Sequence, residues 1–294
     1  MVPARHERGH KLSAFAKPLI GAERLLELQL LGQAVVLIDA RFDLTNVDAG
    51  RDDWRLGHLP GSVYWHLDAD LSGPKTGRNG RHPLPSRADF ARTMGRAGIT
   101  PASLVVTLDA QGGVYAARVW WMLRWMGHDA VAVLDGGTAA WRAAGGGLST
   151  QPTTPDSAPP YPERAPLVGT QDAAGLAATL GRVRLVDARA PERFRGEVEP
   201  LDAQAGHIPG ALNRFFKNNL GSDGRFKPPE QLRIDFAALL GGQGAEQIVH
   251  SCGSGVTACH NLLAMEHAGL SGSKLYPGSW SEWASDPARP IARG

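Results

Sequence analysis

The strongest constraint on the fold is that the chain carries one sequence pattern twice. Four segments of the first half recur in the second half, in the same order and at a nearly constant separation. The matched segments are 35–41 with 183–189, 57–62 with 206–211, 104–109 with 247–252, and 134–137 with 276–279. Four ordered matches are not expected by chance, so the sequence predicts a duplicated domain whose copies share one fold.

Each copy alternates short apolar runs, rich in β-branched residues, with longer amphipathic stretches such as 116–126 and 257–268. This alternation predicts an α/β fold, in which a mainly parallel sheet is flanked by helices. In such sheets, binding sites form beyond the carboxyl ends of the strands. We therefore expect tandem α/β domains, with the active loop of the second domain facing the first.

The length of 294 residues is sufficient for two domains. We assign residues 1–20 to a leader, 21–146 to the first domain, 147–166 to a linker and 167–294 to the second domain. Six prolines fall in the linker, so we expect an extended strap there rather than a helix or a central strand. The basic leader lacks the apolar core of a secretory signal.

Charge and cysteine content exclude several classes of protein. A net charge of +2 provides no strong field for nucleic acid, and no run reaches the ~20 apolar residues of a membrane span. The two cysteines, Cys252 and Cys259, are too far apart on one helix to form a disulfide, so we expect free thiols in a reducing compartment. We expect a cytoplasmic protein that binds neither nucleic acid nor membrane, and that holds no metal or cofactor.

Cys252 stands at a turn between an apolar run at 248–251 and a helix-like stretch that begins near Thr257. Gly253 and Gly255 let the backbone wrap closely around the sulfur, so that successive N–H groups point at it. The N-terminus of the following helix adds a partial positive charge. Both effects favour a thiolate, which indicates that Cys252 is a nucleophile rather than a buried structural residue.

The first copy differs from the second at the critical position. Where the second has Cys252, the first has Asp109, in a loop that is one residue longer. The first domain therefore lacks a nucleophile, and we expect it to be inactive. The next helix carries Trp120, Trp121 and Trp125, which we interpret as a packing surface.

Three classes of reaction use a cysteine in a cradle of backbone amides. Phosphate ester hydrolysis requires an arginine after five intervening residues, where this chain has Ala258. Dithiol redox chemistry requires Cys-x-x-Cys, and Cys259 lies too far along the chain. Sulfane sulfur transfer requires a thiolate, a cradle for an anionic persulfide and positive side chains for an anionic donor, and it agrees best with this loop.

The segment 252–260, with Gly-His-Ile-Pro-Gly-Ala before it and 276–283 after it, resembles the two-domain rhodaneses, and among them the 3-mercaptopyruvate sulfurtransferases. The resemblance extends from about Leu25 to Trp283 and includes the duplication. It implies tandem rhodanese-like domains, of which the first is inactive, and a persulfide formed on Cys252. It also assigns Gly253, Gly255, Val256 and Thr257 to the substrate-binding loop, with Thr257 expected to cap the helix or bond the loop backbone.

The resemblance further implies that an arginine holds the carboxylate of the substrate. Arg193 matches the Arg-aromatic-x-Gly segment of the family, and its planar fork suits a keto-acid carboxylate. Arg195 is a second substrate-binding candidate. Many mercaptopyruvate enzymes carry another arginine shortly afterwards, where this chain has Leu201, which cannot donate a hydrogen bond.

From the first domain, Asp70 and His82 fall where the family has an aspartate and a histidine that face the active loop. With Ser254 they are expected to relay a proton to the pyruvate enolate that leaves the donor sulfur. Asp39 and Asp187 occur in both copies beside an arginine, so we expect a structural role for them.

We therefore expect a sulfurtransferase that moves sulfur from 3-mercaptopyruvate through Cys252 to a thiol such as thioredoxin, or to cyanide. Thiosulfate remains an alternative donor because Leu201 leaves the choice open. A catalytically weak persulfide carrier, with the first domain as a docking surface, is the alternative from a different class.

Overall fold

The computed structural model describes residues 17–294, and most of the leader assigned from the sequence lies outside this range. Two five-stranded sheets, parallel throughout, form two units with the same strand order. The α/β prediction and the duplication are thereby confirmed. Within the described range, no helix is long and apolar enough to cross a membrane.

The first unit has the strand order β1-β5-β4-β2-β3. Its strands are β1 (Leu19–Ile20), β2 (Val35–Asp39), β3 (Ser62–Tyr64), β4 (Leu104–Leu108) and β5 (Val131–Leu134). Its helices are α1 (Ala22–Leu30), α2 (Ala49–Leu56), α3 (Arg87–Arg96), α4 (Ala116–Trp125) and α5 (Gly137–Ala143). Strand β1 pairs with β5 although it falls in the segment assigned to the leader, so the first unit starts earlier than the sequence indicated.

The second unit repeats this plan with the order β6-β10-β9-β7-β8. Its strands are β6 (Gly169–Thr170), β7 (Arg184–Asp187), β8 (Leu212–Asn213), β9 (Ile248–Ser251) and β10 (Lys274–Leu275). Its α-helices are α6 (Ala173–Thr179), α7 (Pro191–Phe194), α8 (Pro229–Leu240), α9 (Thr257–His267) and α10 (Ser279–Trp283). Two short 3₁₀ helices, Phe216–Asn219 and Ala245–Gln247, complete it.

The central strands β4 and β9 occupy equivalent places in the two sheets. Both are buried along their whole length, as expected for parallel strands that are covered on both faces by helices. Asp109 directly follows β4 and Cys252 directly follows β9, so each stands at the carboxyl end of a central strand. The fold therefore places Cys252 and Asp109 at the edge of each sheet where α/β proteins form binding sites.

The Asp-Ala-Arg repeats stabilise each unit from within. Asp39 forms an ion pair with Arg41 at 2.6 Å, and Asp187 forms one with Arg189 at 2.7 Å, all four side chains being buried. Each ion pair compensates its two buried charges for the hydration free energy that they lose on burial. The expected structural role of the two aspartates agrees with these contacts.

The units share one hydrophobic core, because helix α4 of the first packs against helix α9 of the second. Trp120 and Trp121 of α4 are buried in that core, as expected for a packing surface, together with Leu262 and Leu263 of α9. Since α4 follows Asp109 and α9 follows Cys252, this packing brings the two loops to the same interface.

The proline-rich segment 147–166 contains no helix and runs along the first unit. Tyr161 is buried, and its N–H donates to Ala91 O, while Ala158 N–H donates to Gly95 O. The strap thus lies on helix α3 and is held by backbone hydrogen bonds.

Candidate active site

The Cys252 loop curls around its own sulfur. Gly255 N–H donates to Cys252 Sγ at 3.1 Å, and helix α9 begins at Thr257 directly behind the loop. Gly255 has φ +77°, and a Cβ there would lie 2.3 Å from Pro277 O, so this position requires glycine. The loop thus presents a backbone N–H and a helix N-terminus to a buried thiol, which is a setting that stabilises a sulfur anion.

A turn at the start of α10 supports the loop from behind. Ser279 Oγ accepts from Cys252 N–H at 3.1 Å and donates to Tyr276 O at 2.9 Å. Trp280 N–H donates to Cys252 O, and Ser281 N–H donates to Gly253 O. Ser279 adopts φ +53°, an unfavourable conformation for a residue other than glycine. The surrounding hydrogen bonds hold this strained residue and thereby fix the backbone of Cys252.

Cys252 opens into a cavity of about 480 Å³ that lies between the two units. The first unit contributes residues such as Arg81, His82 and Tyr115, and the second contributes Arg193 and the loop itself. The expectation that the active loop faces the first domain is therefore confirmed. Gly253, Ser254, Val256 and Thr257 line the cavity, whereas Gly255, which was also expected to bind substrate, does not line it and instead donates its N–H to Cys252 Sγ.

His82 and Ser254 meet across the interface. His82 Nδ1 lies 2.7 Å from Ser254 Oγ, and His82 Nε2 lies 3.8 Å from Asp68 Oδ1, beyond hydrogen-bond length. Burial is the main cause that lowers the pKa of His82, and the nearby Asp68 opposes this effect. Burial therefore favours the neutral ring at pH 7.

Asp70 does not take the place expected for it. Its Oδ2 accepts the backbone N–H of His66 at 2.8 Å and its Oδ1 lies 3.8 Å from Arg96, outside the cavity. Burial raises the pKa of Asp70. The acid nearest to the His82 ring is Asp68, two residues earlier, whose Oδ1 is also paired with Lys75 at 2.7 Å. Sequence reasoning missed Asp68 because the conformation of the 66–70 turn sets which carboxylate comes near the ring.

Arg193 lies in the cavity wall, at the end of helix α7. Its Nη2 donates to Glu199 Oε1 at 2.7 Å and lies 3.6 Å from Asp202 Oδ2. These acids orient the guanidinium while Nη1 has no acceptor among the described residues. Arg193 is therefore able to bind an anion beside Cys252.

Two other expectations are not met. Arg195 is exposed and forms a two-pronged ion pair with Glu197 outside the cavity, so it does not contribute to the site. Thr257 is the first residue of α9 rather than its cap, and no side chain caps this helix. The Thr257 side chain lines the cavity instead.

Arg118 was not anticipated as part of the site. It is fully buried in helix α4, and it donates to Gly255 O at 3.0 Å and to His82 O at 3.2 Å. It forms no ion pair with any described carboxylate. Burial lowers the pKa of Arg118, and the thiols of Cys259 and Cys252 oppose that shift. The sequence does contain an indication that Arg118 has a special role, because it is the single charged residue in the apolar stretch 116–123.

Cys259 lies in the first turn of α9 and is fully buried. Its Sγ donates to Gly255 O at 3.3 Å, and burial raises its pKa to about 12. Cys259 is therefore a protonated thiol, and both cysteines are free.

Asp109 fills the equivalent loop of the first unit with its own carboxylate. Its two oxygens accept the backbone N–H groups of Gln111, Gly113, Tyr115 and Ala116 at 2.8 to 3.0 Å. These donors include the start of helix α4, which is the counterpart of α9. The amides that an anionic substrate group would need are thus already bonded in the first unit.

Comparison with known proteins identifies the family of the chain. The family model for the rhodanese-like domain matches twice, at residues 22–144 and 172–286. The chain is 48% identical to a probable 3-mercaptopyruvate sulfurtransferase of Pseudomonas aeruginosa, over 93% of this chain and 95% of that protein. It is 40% identical to a putative thiosulfate sulfurtransferase of Mycobacterium tuberculosis, over 96% of this chain and 99% of that protein.

Solved structures show the same architecture. The 3-mercaptopyruvate sulfurtransferase of Leishmania major superposes with a TM-score of 0.80 at 29% identity, covering 91% of this chain and 74% of that chain. SseA of Escherichia coli superposes with a TM-score of 0.75 at 29% identity, covering 90% of this chain and 99% of that chain. With two copies of the domain and relatives similar over nearly its whole length, the chain belongs to the rhodanese family of sulfurtransferases.

Proposed function

We propose that this enzyme takes sulfur from 3-mercaptopyruvate onto Cys252 and passes it to a thiol or to cyanide. The observation that carries this choice of donor is the contact between His82 and Ser254 in the cavity of Cys252. A keto-acid donor releases an enolate, which needs a proton, and a neutral imidazole bonded to a hydroxyl is able to move one.

The proposed first half-reaction begins when the Cys252 thiol loses its proton, through Ser254, to the neutral His82 ring. The thiolate attacks the donor sulfur, the carbon–sulfur bond breaks, and its electron pair leaves on the enolate of pyruvate. The protonated ring returns its proton through Ser254 to the methylene carbon, and pyruvate departs. Cys252 is left as a persulfide, supported by the Gly255 N–H and the α9 N-terminus.

In the second half-reaction, an acceptor thiolate or cyanide attacks the outer sulfur of the persulfide. The sulfur–sulfur bond breaks and its electron pair returns to Cys252, so the thiolate is regenerated. The products are an acceptor persulfide or thiocyanate. We propose a thiol protein such as thioredoxin as the acceptor and the cytoplasm as the location.

Thiosulfate is the second candidate donor. The 40% identical relative from Mycobacterium tuberculosis is named as a putative thiosulfate sulfurtransferase, and Arg193 suits a sulfonate as well as a carboxylate. The Gly253–Ser254 pair adds no cation of its own to the loop, but Arg81, Arg193 and Lys217 line the cavity, so the preference for the keto acid rests on the His82–Ser254 contact.

Steady-state turnover of both donors, with cyanide as the common acceptor, tests the choice. We expect kcat/KM for 3-mercaptopyruvate to exceed that for thiosulfate at least tenfold. Equal or faster turnover of thiosulfate would reverse the assignment. Failure to turn over either donor, with a stable persulfide on the protein, would favour the persulfide carrier instead.

The nucleophile is tested by matched cysteine variants. Cys252→Ser should abolish the +32 Da persulfide adduct, a mass expected for one added sulfur atom, when the protein is treated with donor and weighed intact. Cys259→Ser should retain the adduct, because that thiol is buried and protonated. Loss of the adduct in both variants would contradict a single nucleophile.

A further inference from the structure

Exposed apolar side chains concentrate in two equivalent loops, one in each unit. Leu44 and Val47 lie in the connection between β2 and β3, and Val198 and Leu201 lie in the connection between β7 and β8. These four are among only ten large apolar side chains that are exposed in residues 17–294. Single exposed apolar residues are common on a protein surface, whereas a group of them marks a site of contact. The two loops are therefore candidates for contact with a partner.

Leu44 and Leu201 place this apolar surface at the mouth of the Cys252 cavity. Both line the cavity, and they are 48% and 42% exposed to solvent. Cys252 lines the same cavity but is only 2% exposed, so it lies at the base. The mouth is thus bordered by an apolar side chain from each unit.

Lys217 adds a positive charge to this border. It is exposed, it lines the cavity, and its ammonium nitrogen lies 5.9 Å from the ring centre of Phe215, which lines the cavity too. Lys75 and Lys227 pair with Asp68 and Asp235, whereas Lys217 has no carboxylate partner within residues 17–294. Its charge is therefore available to an acidic group that comes from outside the chain.

The second half-reaction requires an acceptor thiolate to reach the outer sulfur of the Cys252 persulfide. That sulfur lies at the base of a cavity of about 480 Å³. A small thiol diffuses into such a space, but a protein thiol reaches its base only from a protruding turn, whose flanking residues then rest against the mouth. An apolar border with one unpaired cation complements apolar flanking residues and an acidic group on that partner.

We propose that Leu44, Leu201 and Lys217 form a docking surface for a thiol protein of the thioredoxin type, which receives the sulfur from Cys252. The proposal rests on the proposed function, because it specifies how the acceptor of the second half-reaction is recognised. The first unit, whose own loop is filled by Asp109, then takes part in acceptor recognition through Leu44.

The experiment isolates the second half-reaction. Cys252 is converted to the persulfide with either donor, the donor is removed by desalting, and the loaded protein is mixed with reduced thioredoxin or with 2-mercaptoethanol. Intact mass measures the loss of the added sulfur with time. In the unaltered protein, the second-order rate constant for thioredoxin should exceed that for 2-mercaptoethanol at least about tenfold, as for a reaction in which docking contributes to binding.

Leu44→Gln and Leu201→Gln remove apolar surface at the mouth without adding charge. Each should lower the rate constant for thioredoxin about tenfold, because the burial of one leucine in the complex is lost. The rate constant for 2-mercaptoethanol should stay unchanged. Leu30→Gln and Ile234→Gln alter leucine and isoleucine side chains that are exposed but lie outside the cavity, and they should react as the unaltered protein does.

Lys217→Gln tests the charge. The rate constant for thioredoxin should fall as salt is added to the unaltered protein, since salt screens an exposed ionic contact. In Lys217→Gln the rate constant at low salt should be lower, and it should depend less on salt. An identical salt dependence in both proteins would remove Lys217 from the docking surface.

The proposal is overturned if both leucine variants transfer sulfur to thioredoxin at the unaltered rate, or if thioredoxin reacts no faster than 2-mercaptoethanol. Equal losses for both acceptors would also overturn it, because the defect would then lie at Cys252 rather than at the mouth. A dimer of the unaltered protein that dissociates when Leu44→Gln and Leu201→Gln are combined would assign the surface to a second copy of the chain.

A donor-free reaction separates this outcome from that of the proposed function. Thioredoxin that retains only its attacking cysteine is linked to thionitrobenzoate by a disulfide. The Cys252 thiolate attacks the thioredoxin sulfur, a disulfide between the two proteins forms, and thionitrobenzoate leaves with the electron pair of the broken bond. If neither donor loads Cys252, the proposed function fails, but Leu44→Gln and Leu201→Gln should still slow the release of thionitrobenzoate. An unchanged rate of release would overturn the docking surface.

Discussion

His82 Nδ1 lies 2.7 Å from Ser254 Oγ although 172 residues separate them in the chain. Since the residues belong to different units, the contact exists only when α4 packs against α9. If this pair moves the proton to the enolate, His82→Gln and Ser254→Ala should each lower kcat for 3-mercaptopyruvate about 100-fold. Turnover of thiosulfate, whose sulfite product needs no carbon protonation, should fall much less. Parallel losses for both donors would argue against a proton relay.

Asp68 and Asp70 differ by two positions and form a matched pair for mutation. Asp68→Asn removes the acid that faces His82, so kcat for 3-mercaptopyruvate should fall on the order of tenfold. Asp70→Asn should leave kcat unchanged, because the contacts of Asp70 are with His66 and Arg96 and not with His82. The reverse result in steady-state assays would return the role to Asp70.

Arg118 places a buried positive charge behind the active loop. Arg118→Met should slow the alkylation of Cys252 by iodoacetamide at pH 7 on the order of tenfold, because the cation that favours a nearby anion is lost. Arg118→Lys retains the charge and should react at an intermediate rate. Equal alkylation rates in all three proteins would limit Arg118 to packing.

Asp109 accepts four backbone N–H groups in the first unit, so its removal leaves several buried donors without a partner. We expect Asp109→Ala to lower the free energy of unfolding of the first unit by about 2 to 4 kcal/mol. Asp109→Asn keeps one acceptor oxygen, so it should lower the free energy of unfolding by a smaller amount. Urea unfolding followed by tryptophan fluorescence measures the difference, and an unchanged midpoint for Asp109→Ala would contradict this account.

Buried histidines predict a loss of stability in acid. Burial lowers the pKa of His250 to about 3, and of His128 and His260 to about 4. Because histidine in the unfolded chain titrates near 6.5, the unfolded state binds more protons below that pH. Stability should therefore be full above about pH 6.5 and should decrease as the pH falls towards 4, by up to about 1.4 kcal/mol per pH unit for each histidine.

Urea titrations between pH 7.5 and 4.5 measure this slope. His250→Gln removes one group that titrates only in the unfolded chain in this pH range. The slope of the unfolding free energy against pH should therefore decrease by the equivalent of about one bound proton. A slope identical to that of the unaltered protein would show that His250 does not contribute to acid sensitivity.

Several elements of the site follow from local sequence. The strand-to-helix turn at Cys252 is specified by an apolar run, two glycines and a helix within about ten residues. Arg193, which the family resemblance of its segment assigns to substrate binding, lies in the cavity, whereas Arg195, two residues later, is exposed and pairs with Glu197. Spacing along one segment therefore indicates which residues come near a site, and side-chain direction decides which of them enter it.

The sequence by itself determined the duplication, the α/β fold of each copy, the proposed nucleophile Cys252 and its counterpart Asp109. These depend on periodicity and turn chemistry within single elements. Only the tertiary structure decided that Asp68 rather than Asp70 faces His82, and that Arg81 and Arg118 of the first unit reach the active loop of the second. The physical reason is that these contacts form between units, where the packing of α4 against α9 sets which distant side chains share one desolvated cavity.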